Sequence, residues 1–242
     1  MDGTTEPIIV VIGHPIAGNP SQFAVERALR AMKLDWRVLS FDVEPENIAA
    51  ALEGFSVTGI AGVLIDPSVA APATQWYADK NSIEVAIIDC LHRDDEGQLL
   101  GSFEQRVWVD EQISRHAGEK RIWLGATLEN YPLSRDGFGE ESILAPPDLD
   151  VIANANLIVL TDDSDGPVEL EAEDWPSNDG STLIIDFTEG HPDQLTLQEL
   201  GYRVIATRER QIGTLLQCLQ RWTGKQPPAD VVPDAIEEYL GV

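Results

Sequence analysis

A chain of 242 residues, 43% of them hydrophobic, is long and apolar enough to bury a core, which excludes a disordered polypeptide. Asp plus Glu total 42 against 16 Lys plus Arg, a formal net charge of −26, and such a field disfavours nucleic acid and anionic membranes as partners. No apolar run approaches the ~20 residues of a bilayer-spanning helix. MDGTTEPIIVV lacks a signal peptide's basic n-region, and Cys90 and Cys218 show no metal-type spacing, so a reduced cytoplasmic protein is expected.

The N-terminal half alternates strand and helix signals. Residues 7–12 are an apolar, β-branched run and predict a buried strand. Ser21 is the expected cap of a helix with Val25, Ala28, Leu29 and Met32 on one face. Residues 36–43 predict the next strand, and Pro45 opens a helix striped by Ile48, Ala51 and Leu52. Residues 59–65 give a third strand, ended by Asp66-Pro67. Residues 85–91 and 98–100 flank HRDDEGQ and predict a hairpin. The order β-α-β-α-β with an added hairpin implies a mainly parallel sheet covered on both faces.

A helix is expected over 104–116, and RIWLG then starts a second series. Residues 155–161, 183–187 and 202–206 predict strands, and 194–200, 208–222 and 231–240 predict helices. The fold class is therefore α/β in two lobes, residues 1–103 and 104–242, with a C-terminal helix packing back. TDDSDGPVELEAEDWPSNDG reads as a solvated acidic loop, and the overall acidity as a solubility or salt adaptation ahead of an acidic partner surface.

Four segments lie in the order of a known family. They are GHPIAGNPSQ (13–22), VLIDPSV (63–69), the pair IIDCL (87–91) and GSFEQ (101–105), and LQCLQRWTGKQPPADVVPDAIEEYL near the C-terminus. Together they resemble shikimate dehydrogenase, an NADP-dependent enzyme that reduces 3-dehydroshikimate. The resemblance implies a substrate-binding lobe followed by a Rossmann-like lobe.

Fold alone does not carry function. The resemblance places the family's catalytic Lys at Val69 and its catalytic Asp at Gln105. Valine has no proton to give, and a neutral amide is no base. General acid–base help is typically worth ~10²–10⁴-fold, so little rate is expected to remain. The hydroxyl-binding positions fall on Asn19, Ser21, Val63, Ile65, Asp89 and Thr214, and only Ser21 keeps the family's residue. In the cofactor lobe the phosphate turn reads GATLENYPL. Gly125 is kept, but Thr127 and Leu128 carry side chains where a backbone must approach phosphate, Glu129 adds a like charge and Pro132 restricts a following helix. The next strand and its basic loop are expected to be missing, because the gap before residue 157 is short by roughly 30 residues, about one strand–helix unit. DGFGEE (136–141) follows no strand and reads as a loop.

Other candidates weigh towards structure. His14 reads as a loop residue before an acid–base group. Asp66, Asp89 and Glu104 read as element ends before an acidic site for a cation or amine. His92, His116 and His191 show no ligand spacing, Cys218 lies among Leu215, Leu216 and Leu219, and no metal site or nucleophile triad is legible. The expected protein is a shikimate dehydrogenase-like chain without that activity, a small-molecule-binding or interaction scaffold using no cofactor. The alternative is an active dehydrogenase with a rebuilt site, using NADP on shikimate or a related hydroxy acid. A regulatory partner of a shikimate-pathway enzyme is a third reading. A homodimer is compatible with each.

Overall fold

The computed structural model describes residues 6–115, 120–125, 143–144, 149–161, 174–188 and 193–241. The chain divides into two α/β units. The first joins residues up to Val107 with those from Ile212 onward, and the second is Trp108–Gln211.

The first unit is built on β1 (Ile8–Gly13), β2 (Arg37–Asp42), β3 (Ile60–Ile65), β4 (Cys90–Arg93) and β5 (Leu99–Ser102), in the sheet order β2-β1-β3-β4-β5. β1 runs parallel to β2 and β3, while β4 is antiparallel to both β3 and β5. Ile9, Val10, Val11 and Ile12 of β1 are buried because both faces are covered. Ile9 and Val11 pack with α1 (Ser21–Ala31) and α8 (Val231–Leu240); Val10 and Ile12 pack with α2 (Ile48–Ser56) and α3 (Ala70–Asn81).

Four sequence expectations change here. Residues 212–242 join the first unit instead of the second lobe. Leu215, Cys218 and Leu219 of α7 (Thr207–Thr223), with Val232, Ala235 and Ile236 of α8, share one apolar core with Val25 and Leu29. The expected packing back of the C-terminal helix is present as α8 on α1. Helix α3 had no sequence forecast. The hairpin sits later than expected: Ile88 is buried below α3 and donates its N–H to Thr74 Oγ1 at 3.0 Å, so the ladder starts only at Asp89. Ser21 is not the cap of α1. Ser21 is the first residue of the helix, Pro20 holds the cap position, and Asn19 Oδ1 accepts the Ser21 N–H at 2.9 Å from just outside it.

Gly62 of β3 shows why a strand interior tolerates glycine here. A Cβ at that position would lie 2.2 Å from Trp222 Nε1, whose N–H donates to the Leu91 carbonyl at 2.9 Å. Gly62→Ala is expected to displace the indole and destabilise the protein by about 2 kcal/mol, within the range for overpacking. Denaturant melts of the variant and the Trp fluorescence maximum check this.

The second unit holds β6 (Arg121–Leu124), β7 (Ile143–Leu144), β8 (Leu157–Leu160), β9 (Leu183–Asp186) and β10 (Arg203–Ile205), all parallel, in the order β10-β9-β8-β6-β7. Helices α4 (Glu104–Arg115), α5 (Leu149–Ala153), α6 (Gln194–Glu199) and α7 accompany them, with α4 and α7 each crossing the unit boundary. The classic dinucleotide order is 3-2-1-4-5-6. β7 stands in the second place, so the strand expected to be missing after the phosphate turn is present, two residues long. Among the described residues no strand flanks it further out. A short crossover through α5 replaces the longer excursion, because only 12 residues separate β7 from β8.

Candidate functional site

Asn19, Asp66, Asp89, Glu104 and Gln105 lie at the carboxyl ends of β1 and β3 and the start of α4, all in the first unit. Gly13 ends β1, and a Cβ there would lie 2.8 Å from Asp66 Cβ, so the chain must pass the end of β3 closely. Asp66 then organises the turn into α3. Its Oδ1 accepts from the Ser68 N–H at 3.0 Å and the Ser68 hydroxyl at 2.6 Å, and its Oδ2 accepts from Asn19 Nδ2 at 2.7 Å. The His14 N–H donates to Ser68 Oγ at 3.0 Å, and His14 Nδ1 lies 2.8 Å from Asp42 Oδ1. His14 and Asp42 are exposed, so an acid–base pair faces solvent at this edge.

Neighbouring it is a second cluster. The Ile65 N–H donates to the Asp89 carbonyl at 2.8 Å, which fixes Asp89 beside the end of β3. The Asp89 carboxylate accepts the Glu104 N–H at 2.7 Å and the Gln105 N–H at 2.8 Å. It therefore caps α4 from 15 residues away, and the macrodipole favours its charge there. Burial pulls the other way and dominates. It pushes the Asp89 carboxyl up to about 7, opposed by the two N–H bonds and assisted by the nearby charge of Glu104. Glu104 is 1% exposed and accepts from Arg221 Nε of α7 at 2.9 Å. His92 is held below its ordinary value, by burial first and then by Arg221, and burial pushes the Cys218 thiol well up.

The other sequence-derived positions are packed away. Val63 and Val69 are 0% exposed and Ile65 is 2% exposed, all three in the apolar core with Ile12 and Ala73. Ser21 and Thr214 are buried. Asp66, Asp89 and Glu104 each have internal partners, and among the described residues no group of three or more His, Cys, Asp or Glu is placed to hold a metal ion.

In the second unit Gly125 has φ +108°, and a Cβ on it would lie 1.8 Å from the Thr161 carbonyl oxygen. Close approach of the β6 and β8 ends thus explains this glycine without a phosphate. Thr127, Leu128, Glu129, Pro132, residues 136–141, His116 and His191 lie outside the described residues, as does most of the acidic loop.

Two functional-looking groups escaped the sequence reading. Arg221 lies 117 residues from the Glu104 it pairs with, and no local signal marks it. Asp186, 0% exposed at the end of β9, accepts from the Thr188 N–H and hydroxyl at 2.8 and 2.6 Å and from Gln194 Nε2 at 2.9 Å. Its Asp-x-Thr pattern was a readable turn signal.

No family model matches the chain. Over 95% of both chains, however, it is 25% identical to the shikimate dehydrogenase (NADP+) of Methanothermobacter thermautotrophicus. The chain is similar to shikimate dehydrogenases over nearly its whole length. Solved structures give this shikimate dehydrogenase-like chain its fold. The Thermus thermophilus shikimate 5-dehydrogenase in complex with shikimate is 17% identical, with a TM-score of 0.68, over 98% of this chain and 100% of that one. A ligand-free 5-ketofructose reductase of a Gluconobacter strain is 15% identical, with the same TM-score, over 98% and 99%. Among the described residues no helix of the shikimate dehydrogenase-like chain is long and apolar enough to cross a membrane.

Proposed function

We propose that this chain has lost shikimate and 3-dehydroshikimate oxidoreductase activity and serves as a small-molecule-binding or interaction scaffold. The observation that carries the reading is Val69. The residue that stands at the family's catalytic Lys position is 0% exposed inside an apolar core. Restoring a lysine there would bury an unpaired charge, so the core is built against that chemistry. Gln105 at the Asp position is neutral, and its N–H is engaged by Asp89. The hydroxyl-binding positions Val63 and Ile65 belong to the same core.

No dinucleotide cofactor belongs to this reading. The described part of the phosphate turn offers Gly125, whose conformation Thr161 already requires. The two buried free thiols, Cys90 and Cys218, support a reducing, cytoplasmic setting. A small molecule or protein is the expected partner, neither nucleic acid nor membrane.

The pure protein is expected to show no NADPH-dependent reduction of 3-dehydroshikimate and no thermal stabilisation by millimolar NADPH, NADH or shikimate. A ligand at 100 times its Kd would add about 2.7 kcal/mol, so even weak retained binding would be visible. Turnover would overturn the reading. One observation favours the alternative of a rebuilt NADP-dependent dehydrogenase: the exposed His14–Asp42 pair is an oriented acid–base group at the strand ends. If turnover is found, loss of it in His14→Ala identifies that site.

A further inference from the structure

The chain's only two cysteines, Cys90 of β4 and Cys218 of α7, lie far apart in sequence and meet in one apolar core. Both thiols are free and 0% exposed. Their meeting follows from how α7 lies on the sheet. Cys90 pairs with Leu64 of β3, and His92 pairs with Gly62, so these four positions share one face. Trp222 of α7 fills the space above Gly62 and donates its indole N–H to the Leu91 carbonyl at 2.9 Å. Cys218 lies one turn before Trp222 on the same side of α7, about 6 Å along the helix axis. Leu64 lies two residues beyond Gly62, about 6.7 Å along the strand. The two steps match, and the core that Cys218 shares with Leu64 and Cys90 fixes their direction. A helix anchored by Trp222 above Gly62 therefore sets Cys218 above Leu64 and Cys90.

We propose that Cys90 and Cys218 form a reversible disulfide that locks α7 onto β4 when the surrounding thiol pool turns oxidising. The oxidant is a small-molecule disulfide. The thiolate of one cysteine attacks its S–S bond, which gives a mixed disulfide and releases one small thiol. The second cysteine attacks the protein-bound sulfur, forms the Cys90–Cys218 bond and releases the other small thiol. Two protein thiols are oxidised, one small disulfide is reduced, and the two protein protons end on the released thiols. Burial first, and then a hydrogen bond with the Cys90 thiol, push the Cys218 thiol well up, so the reactive thiolate forms only when α7 lifts from the sheet. Opening of α7 therefore gates the exchange. The bridge ties together the two elements that hold the start of α4. Asp89, beside Cys90, accepts the Glu104 and Gln105 N–H groups, and Arg221, nearly one turn beyond Cys218, holds Glu104. This holds whether or not the chain retains catalysis.

The test incubates the folded, reduced full chain with oxidised glutathione for as long as the α7 amides take to exchange completely with deuterated water. By then every buried thiol has been uncovered, so lack of access cannot excuse a negative result. Free thiols are counted, and an unreduced digest is read by mass spectrometry. Both thiols are expected to disappear together, with the loss of two hydrogens from the intact mass and one peptide pair joining Cys90 to Cys218. Dithiothreitol should restore both thiols. Two free thiols at the end of the incubation overturn the proposal, and that result needs no variant to fold. Stable glutathione adducts or disulfide-linked dimers in place of the internal bridge overturn it as well.

Stability gives a second reading. A cross-link from position 90 to position 218 closes a long loop and restricts the unfolded chain. The oxidised protein is expected to melt at least about 5 °C above the reduced one. An oxidised protein that melts no higher than the reduced one would overturn the lock. Oxidised and reduced samples of Cys90→Ala should melt together, because no bridge can form. A wild-type-sized difference in that variant would overturn the assignment to this pair.

Discussion

Ile185→Asp is expected to abolish cooperative folding, and Leu64→Asp is expected to do the same. Ile185 is 0% exposed in β9, paired with Val159 of β8 and Ile205 of β10, and lies against Trp123, Leu157 and Phe187. The polar groups nearest that cluster are already engaged, the Trp123 indole N–H by Thr161 Oγ1 at 3.0 Å and the Arg210 guanidinium over the Phe187 ring. Leu64 is 6% exposed in β3, between Val11 and Cys90 in the sheet, and packs into the core shared with α1, α7 and α8. Each substitution both removes a large apolar side chain and buries a charge. The combined penalty exceeds about 4 kcal/mol, against a total stability of about 5–15 kcal/mol for a domain. Far-UV circular dichroism and a thermal melt decide it. A wild-type-like melt of either variant would mean that its strand is not buried on that face.

The strands that carry this prediction were legible because parallel strands covered on both faces read as continuous β-branched runs. IIVVI, IAGVLI, LIVL and LIID all have that character. Helix α3 was not legible. AAPATQWYADKN buries only Ala70, Ala73 and Tyr77, carries Pro72 in its first turn and shows no apolar stripe. Its helicity comes from the Asp66-Pro67 start and from packing against Ile88. β7 was missed for a different reason: two residues are too few to display a period. The place of residues 212–242 was hidden because an amphipathic helix states that a face is buried, and not against which sheet.

The candidate site was legible as a set of positions and illegible as a set of bonds. Resemblance to the family located Asn19, Asp89 and Gln105 together, and the structure joins the last two directly. That Asp89 would cap α4 could not be read, because a cap 15 residues upstream leaves no spacing signature. The start of α1, in contrast, carried a readable signal: an Asn-Pro pair just ahead of the helix, whose Asn19 Oδ1 accepts the Ser21 N–H. Val69 shows the value of the coordinates most clearly. The resemblance sets Val69 against the family's lysine, and the structure places this valine, 0% exposed, in the apolar core with Ile12 and Ala73.

Arg221→Leu is expected to destabilise the protein through Glu104 and not through its own lost contacts. Glu104 is 1% exposed, and Arg221 Nε at 2.9 Å is its cation, while Arg221 itself is 43% exposed. Breaking a buried pair by removing one partner costs about 3–5 kcal/mol, because the other charge is left uncompensated. The exposure of Arg221 lets water approach, so the low end, about 3 kcal/mol, applies here. For a chain of this length that lowers Tm by roughly 6–12 °C. Adding Glu104→Gln removes the charge while keeping an amide in its place, so the double variant should recover most of the loss. Leucine stacks apolar surface where the arginine stem lay, which keeps packing losses small. A double variant no more stable than Arg221→Leu would mean that water, and not Arg221, balances Glu104.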